Sequence, residues 1–162
     1  KKELINSPKL FTLNFHSGVS PLYNGTKTIF HPCSDNSPNF CGGTLMRMTE
    51  KIDGGRVLLQ YFPSIKENDT ASSIFMKTII GSTKLYHLFL KITEKDYFPE
   101  GVTQPPTKNY SRYIDWTITN DLQINNFHNR KIVNDFQRKE NIISFLQSSD
   151  FSKTYKYLNI TQ

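Results

Sequence analysis

Tryptophan occurs once, cysteine twice and histidine four times in 162 residues, and each scarcity removes a class of function. A zinc site built on Cys33 and Cys41 would have to recruit His31, which supplies three ligands at an unusual spacing. No apolar run reaches the roughly 18 residues that cross a bilayer. The longest, residues 74–80 and 85–92, are interrupted by Lys77 and His87 and separated by Lys84, so the chain is not read as membrane-spanning. It starts at Lys1 with no apolar leader, which fits a processed or trimmed chain. Cationic charge is in modest excess, 20 Lys and Arg against 14 Asp and Glu, for a net charge of +6. It is scattered: only Arg130-Lys131 and Arg138-Lys139 approach a cluster, and no RNP motif, zinc-finger spacing or basic helical stripe appears. Nucleic acid is therefore not the expected partner. An acidic protein or a charged cell surface would use the same net charge.

The chain is rich in pleat-forming residues, with Phe and Tyr together supplying 20 of the 162. At this length it is read as a single domain over residues 1–162. Alternating or short β-branched and aromatic runs predict strands over residues 10–15, 27–31, 44–48, 56–62, 73–80, 84–92, 113–119 and 122–127. Gly81-Ser82 between two strong runs reads as a hairpin. Residues 96–111, with Pro99, Gly101, Pro105 and Pro106, read as a long exposed loop. In residues 131–148 the pattern changes: Ile132, Phe136, Ile143 and Leu146 recur at helical spacing, predicting one helix packed against the sheet, followed by a short strand over 155–160. The expected fold is all-β or β-dominated, an antiparallel sandwich or barrel of about eight strands with one C-terminal helix.

Cys33 and Cys41 flank a polar, turn-rich loop, and a disulfide closing it is favoured over free thiols or a metal site. Four Asn-x-Ser/Thr triplets begin at Asn24, Asn68, Asn109 and Asn159 and are read as glycosylation sites, the first three in turn-like or loop-like segments. Together they place the chain in a secretory pathway, as a secreted protein or the outer face of a membrane glycoprotein.

Motifs for chemistry are few. Cys41-Gly42-Gly43-Thr44-Leu45 resembles the strand opening of trypsin-like serine proteases, but no histidine-bearing segment or Gly-x-Ser-x-Gly elbow follows. His16, His31, His87 and His128 read as four ordinary histidines, and Asn24-Gly25 and Asp53-Gly54-Gly55 as turns. Trp116 shares a strand face with Ile114 and Ile118 and is expected in the core. No catalytic, cofactor or metal site is assigned, and an enzyme is not expected. The leading reading is an extracellular domain for protein–protein recognition, receptor-binding or immune-modulating and of possible viral or parasite origin, with a protein or cell-surface receptor as partner. The alternative is a carrier of a small hydrophobic ligand, since the element order and length resemble the lipocalins. The Gly-x-Trp of that family has no counterpart here.

Overall fold

The computed structural model describes residues 3, 5, 7, 8, 10–94, 97–107 and 109–160. Asp96, which opens the expected loop, and Thr161 of the fourth triplet lie outside them. Strands β1 (Leu13–His16), β3 (Gly43–Arg47), β4 (Val57–Phe62) and β6 (Asn141–Ser144) form one antiparallel sheet in the order β1-β3-β4-β6. A parallel pair, β2 (Tyr23–Gly25) with β5 (Asn109–Ser111), makes a second, two-stranded sheet. Four helices complete the described architecture: α1 (Phe30–Ser34), α2 (Ala71–Thr93), α3 (Ile118–Asn129) and α4 (Ser152–Tyr157). The all-β sandwich or barrel is thus not what forms; the chain is α/β.

The largest departure is α2, which absorbs two expected strands and the hairpin between them. Its buried residues, Ala71, Ile74, Thr78, Gly81, Leu85 and Phe89, follow steps of three and four, one helical face. Met76, Ile79 and Ile80 are exposed on the far side, and this surplus of apolar residues fills in the helical period until it reads as continuous strand. Thr70 caps the helix, its hydroxyl accepting from the Ser73 amide at 3.1 Å while Ser73 Oγ accepts from the Thr70 amide at 2.9 Å. Gly81 belongs to no turn. A Cβ there would lie 2.0 Å from Tyr61 Cε1, so glycine is what lets the helix settle on the sheet.

Register assigns each sheet face. Phe15, Leu45 and Leu59 are cross-strand partners and, with Tyr61, pack against Leu85 and Phe89 of α2. The opposite face is covered at one side by α4, where the Tyr157 ring lies 4.7 Å from that of Phe62 and Phe151 lies 5.0 Å from Phe145. Residues 155–160, expected as a strand, fall largely in and just after this helix. The helix expected over 131–148 divides into a 3-10 turn (Ile132–Phe136) and β6, because Lys131 takes a left-handed φ of 50° and residues 141–144 pair with β4. Half-buried Arg138 lies between them and donates to the carbonyls of Asn39, Cys41 and Pro63, tying the cysteine loop to the end of β4. The expected strands 113–119 and 122–127 are a 3-10 turn and α3, and residues 27–31 run into α1.

Replacing Gly81 with alanine is expected to lower stability by about 1–3 kcal/mol through overpacking against Tyr61, measured by urea unfolding. A gain of up to about 1 kcal/mol, the ordinary Gly-to-Ala effect in a helix, would show that α2 does not rest on the sheet at this point.

Candidate active site

The face of the sheet away from α2 carries polar groups where an apolar core would be expected. His16, Thr44 and Gln60 are direct cross-strand neighbours, and all three are buried. Asn14, two residues before His16 on β1, shares their face and is half-buried. Buried polar groups must find partners, and residues 17–24 supply them. Thr44 Oγ1 donates to the Gly18 carbonyl at 2.7 Å and accepts from the Ser20 amide at 3.0 Å. Gln60 Nε2 donates to the Ser20 carbonyl at 2.6 Å, and its Oε1 accepts from Thr154 Oγ1 on α4 at 2.6 Å. The loop, which includes a cis Ser20–Pro21 bond, is thereby laid across the row.

That loop delivers the backbone of β2 to His16. The ring Nε2 lies 3.0 Å from the Tyr23 carbonyl, and Nδ1 lies 3.3 Å from Asp53 Oδ1. Asp53 sits in a turn after β3 with φ of 50°, and its Oδ2 accepts from the Gly25 amide at 2.9 Å. Both ring nitrogens therefore face acceptors. A ring carrying both protons fills both bonds, and a neutral ring fills one. Asn24 locks the turn from behind: its Nδ2, with two protons, is surrounded by three acceptors, Thr107 Oγ1 at 2.9 Å and the Asp53 carbonyl and Gln104 Oε1 at 3.2 Å, while Oδ1 accepts from Ser20 Oγ at 2.6 Å. Asn14 and Asp53 open on a groove of about 260 Å³ with Met46, Arg47 and the turn residues 48–55. Arg47 Nε is buried there without a hydrogen-bond partner.

The residues singled out from sequence fall elsewhere. Asn24 is 2 % exposed with every amide donor engaged, which leaves no room for a glycan; the site expected there is corrected to a structural asparagine. Asn68, Asn109 and Asn159 are exposed. Thr70 of the second triplet is the cap of α2, and Asn159 takes a left-handed φ of 55° just past the end of α4. Cys33 and Cys41 are free thiols with Sγ atoms 3.6 Å apart. The contact with Cys41, together with burial, pushes the Cys33 thiol well above its usual range. Trp116 is half-buried rather than in the core, with Lys27 Nζ 4.2 Å from its ring centroid and its Nε1 donating to Asp121 at 2.8 Å. Asn14, His16 and Asp53 as a group were missed. The available signal was a pair of polar residues at period two ending an apolar strand, with polar Thr44 and Gln60 at inward positions of two other strands.

The sheet thus carries a long helix on one face and, at the end of its edge strand β1, a buried histidine–carboxylate pair with a half-buried asparagine beside it, in an α/β architecture. Residues 1–87 match the formyl transferase family, more than half of the chain, and the chain belongs to that family. It is 34 % identical over 123 residues to a methionyl-tRNA formyltransferase of Listeria monocytogenes, covering 70 % of this chain and 38 % of that enzyme. Its fold is similar to that of the formyltransferase PseJ from Anoxybacillus kamchatkensis, solved with a formamido nucleotide sugar and tetrahydrofolate, at a TM-score of 0.60 and 20 % identity over 71 % of this chain and 59 % of that one. An N-formyltransferase from Helicobacter canadensis, solved with folinic acid and dTDP-3-aminofucose, matches at 0.57 and 26 % identity over 65 % and 39 %. The chain thus spans less than half the length of the curated relative, and its architecture is the Rossmann-like α/β fold of formyltransferases.

Family membership overturns the sequence-based functional expectations together. An extracellular recognition or immune-modulating glycoprotein, a lipocalin-like carrier, a non-enzyme, a receptor or other protein partner and the exclusion of nucleic acid all give way, since the matched proteins are formyltransferases named for tRNA or solved with nucleotide sugars. The secretory placement falls with them, because it rested on the triplets and cysteines just described. Among the described residues no helix is long and apolar enough to cross a membrane.

Thr44→Val, nearly isosteric, removes two buried hydrogen bonds to residues 18 and 20 and is expected to destabilise by about 1–3 kcal/mol. Urea unfolding and amide exchange at Ser20 measure it. A loss under about 0.5 kcal/mol with unchanged exchange would show that Thr44 does not hold the loop.

Proposed function

We propose that this chain carries the centre of an N-formyltransferase, moving a formyl group from a reduced folate to a primary amine. The observation that carries the reading is the His16–Asp53 pair with Asn14 on the same strand face, all three inside the segment that matches the family. In balanced form, the amine nitrogen bonds to the formyl carbon, the bond from that carbon to the donor nitrogen breaks, one proton leaves the amine and one arrives at the donor nitrogen.

The groove beside Asn14 fits the donor. It offers Arg47 Nε, a buried donor with no protein partner, beside Met46, Met48 and the backbone of the turn that ends in Asp53. A formylated folate bound there supplies the one-carbon unit as an amide whose nitrogen can leave. Asn14, whose side-chain amide has no hydrogen bond among the described residues, donates to the formyl oxygen as negative charge develops on it, the kind of fixed dipole that lowers such barriers. His16 exchanges the Tyr23 carbonyl for the incoming amine at Nε2 and accepts its proton. Asp53 holds the ring through Nδ1 and stabilises the imidazolium that results, and the Gly25 amide keeps that carboxylate in place.

The test is formylation by the purified protein with 10-formyltetrahydrofolate and either dTDP-3-aminofucose or methionyl-tRNA, followed by mass spectrometry for the added formyl group. His16→Gln is expected to lower kcat/KM by about 10²–10⁴ and Asn14→Ala by about 10²–10³, each with cooperative unfolding retained. Variants within threefold of wild type, or a wild-type protein that formylates neither acceptor, would remove the assignment.

A further inference from the structure

The turn that carries Asp53 is clamped by a side chain from a distant segment. Gln104 Nε2 donates to the Asp53 carbonyl at 2.8 Å and to the Gly55 carbonyl at 2.7 Å, one proton to each. Both carbonyls only accept, so they fix which way round the amide sits, and its Oε1 is left to face Asn24 Nδ2 at 3.2 Å. Gln104 therefore spans residues 53–55. Within them Asp53 holds a left-handed φ of 50°, which a residue with a side chain keeps only where its surroundings impose it. The clamp has a firm base. Val57 and Val102 exchange both backbone hydrogen bonds at 2.8 Å, and Arg56 donates to the Gly101 carbonyl at 2.8 Å and to Thr103 Oγ1 at 2.9 Å. Pro105 and Pro106 stiffen the chain just beyond. Gln104 is half-buried and lies outside the lining of the groove beside Asn14, so it reaches the site only through the turn.

What the turn decides is where the proton sits on His16. Asp53 Oδ1 stands 3.3 Å from Nδ1 and the Tyr23 carbonyl 3.0 Å from Nε2, and a neutral imidazole has one proton for these two acceptors. Nε2 can take a proton from an amine only when that one proton is on Nδ1. The carboxylate is the stronger acceptor because it is charged, while the carbonyl has the shorter distance, so the two tautomers are closely matched. A small displacement of Asp53 away from the ring hands the proton to Nε2 and removes the base. The Gly25 amide fixes one oxygen of that carboxylate at 2.9 Å. The main chain of residue 53 fixes the rest, and Gln104 holds the main chain.

We propose that Gln104 is a positioning residue of the site: by holding the Asp53 and Gly55 carbonyls it keeps the Asp53 carboxylate on Nδ1 and so selects the tautomer whose Nε2 can accept a proton. The use made of that tautomer rests on the formyl-transfer reading above; the selection itself rests on the hydrogen bonds of Gln104 and His16.

Nitrogen-15 spectra of the full protein labelled at histidine test it, with the His16 signals assigned by their loss in His16→Gln and the tautomer read at the alkaline end of the ring's titration. Wild type is expected to hold mostly the Nδ1–H form. Gln104→Met keeps the length and loses both donors, and Gln104→Glu sets a carboxylate against the two carbonyls. Each is expected to lower the ratio of Nδ1–H to Nε2–H by about threefold or more. Each is also expected to lower kcat for formylation of dTDP-3-aminofucose or methionyl-tRNA by about tenfold to a hundredfold, with the KM for 10-formyltetrahydrofolate within about threefold of wild type. A wild type that holds mostly Nε2–H, a ratio unchanged in both variants, a kcat unchanged where the ratio falls, or loss of cooperative unfolding in both would overturn the role. A ratio that falls in the variants of a protein that formylates neither acceptor would keep Gln104 as the holder of the tautomer and overturn the formyl-transfer reading. Formylation by wild type with the ratio unchanged in both variants would do the reverse.

Discussion

The row His16, Thr44 and Gln60 sets the terms for the rest of the molecule. Three polar side chains side by side on the inner face of a sheet cannot be left to an apolar cover, because each unpaired buried group would cost about 1–3 kcal/mol. The cover therefore has to be a stretch of backbone whose own amides and carbonyls are in want of partners. Residues 17–24 are that stretch, and once Gly18 and Ser20 are bonded to Thr44 and Gln60, the positions of Tyr23, Asn24 and Gly25 follow. Those three residues hold the histidine, the turn behind Asp53 and the Asp53 carboxylate respectively.

The opposite face is apolar and gives this arrangement something rigid to stand on. Phe15, Leu45, Leu59 and Tyr61 lie under α2, and Gly81 permits the close approach at Tyr61. Arg138, half-buried and bonded to three carbonyls, closes the far end of β4 against the cysteine loop. The division of labour is plain: the polar groups of the site are held by a hydrogen-bond network, while the strands beneath them are held by packing. The His16–Asp53 pair sits where β1 ends and irregular chain begins.

Much of the sheet was legible in the sequence and little of the site was. Residues 44–48 and 56–62 read correctly as strands because both are short apolar runs flanked by glycine or charged turns. Residues 73–92 failed because Met76, Ile79 and Ile80 stand on the solvent side of α2 and erase its period, and because Gly81-Ser82 looks like a hairpin tip until Tyr61 is seen beneath it. The helix expected over 131–148 arose from Ile132, Phe136, Ile143 and Leu146, whose spacing matches a helix although a left-handed Lys131 and a strand pairing separate them. The triplet at Asn24 misled for a related reason: it lies in a turn-like sequence, but the turn is folded inward and every donor on its amide is used.

His16 was weighed as an ordinary strand-ending histidine, and locally it is one. Its neighbours in sequence do not distinguish it; Asp53, 37 positions on, and the Tyr23 carbonyl do. What the sequence by itself determined was local: the short apolar strands, the turn at Asp53-Gly54-Gly55 and the amount of apolar surface to be buried, each set by side chains within a few residues of one another. Only the tertiary structure decided that 73–92 is a single helix, that Asn24 is buried and that Asn14, His16 and Asp53 converge. Those outcomes depend on cross-strand register and on satisfying buried hydrogen bonds between distant segments, and neither leaves a periodic trace along the chain.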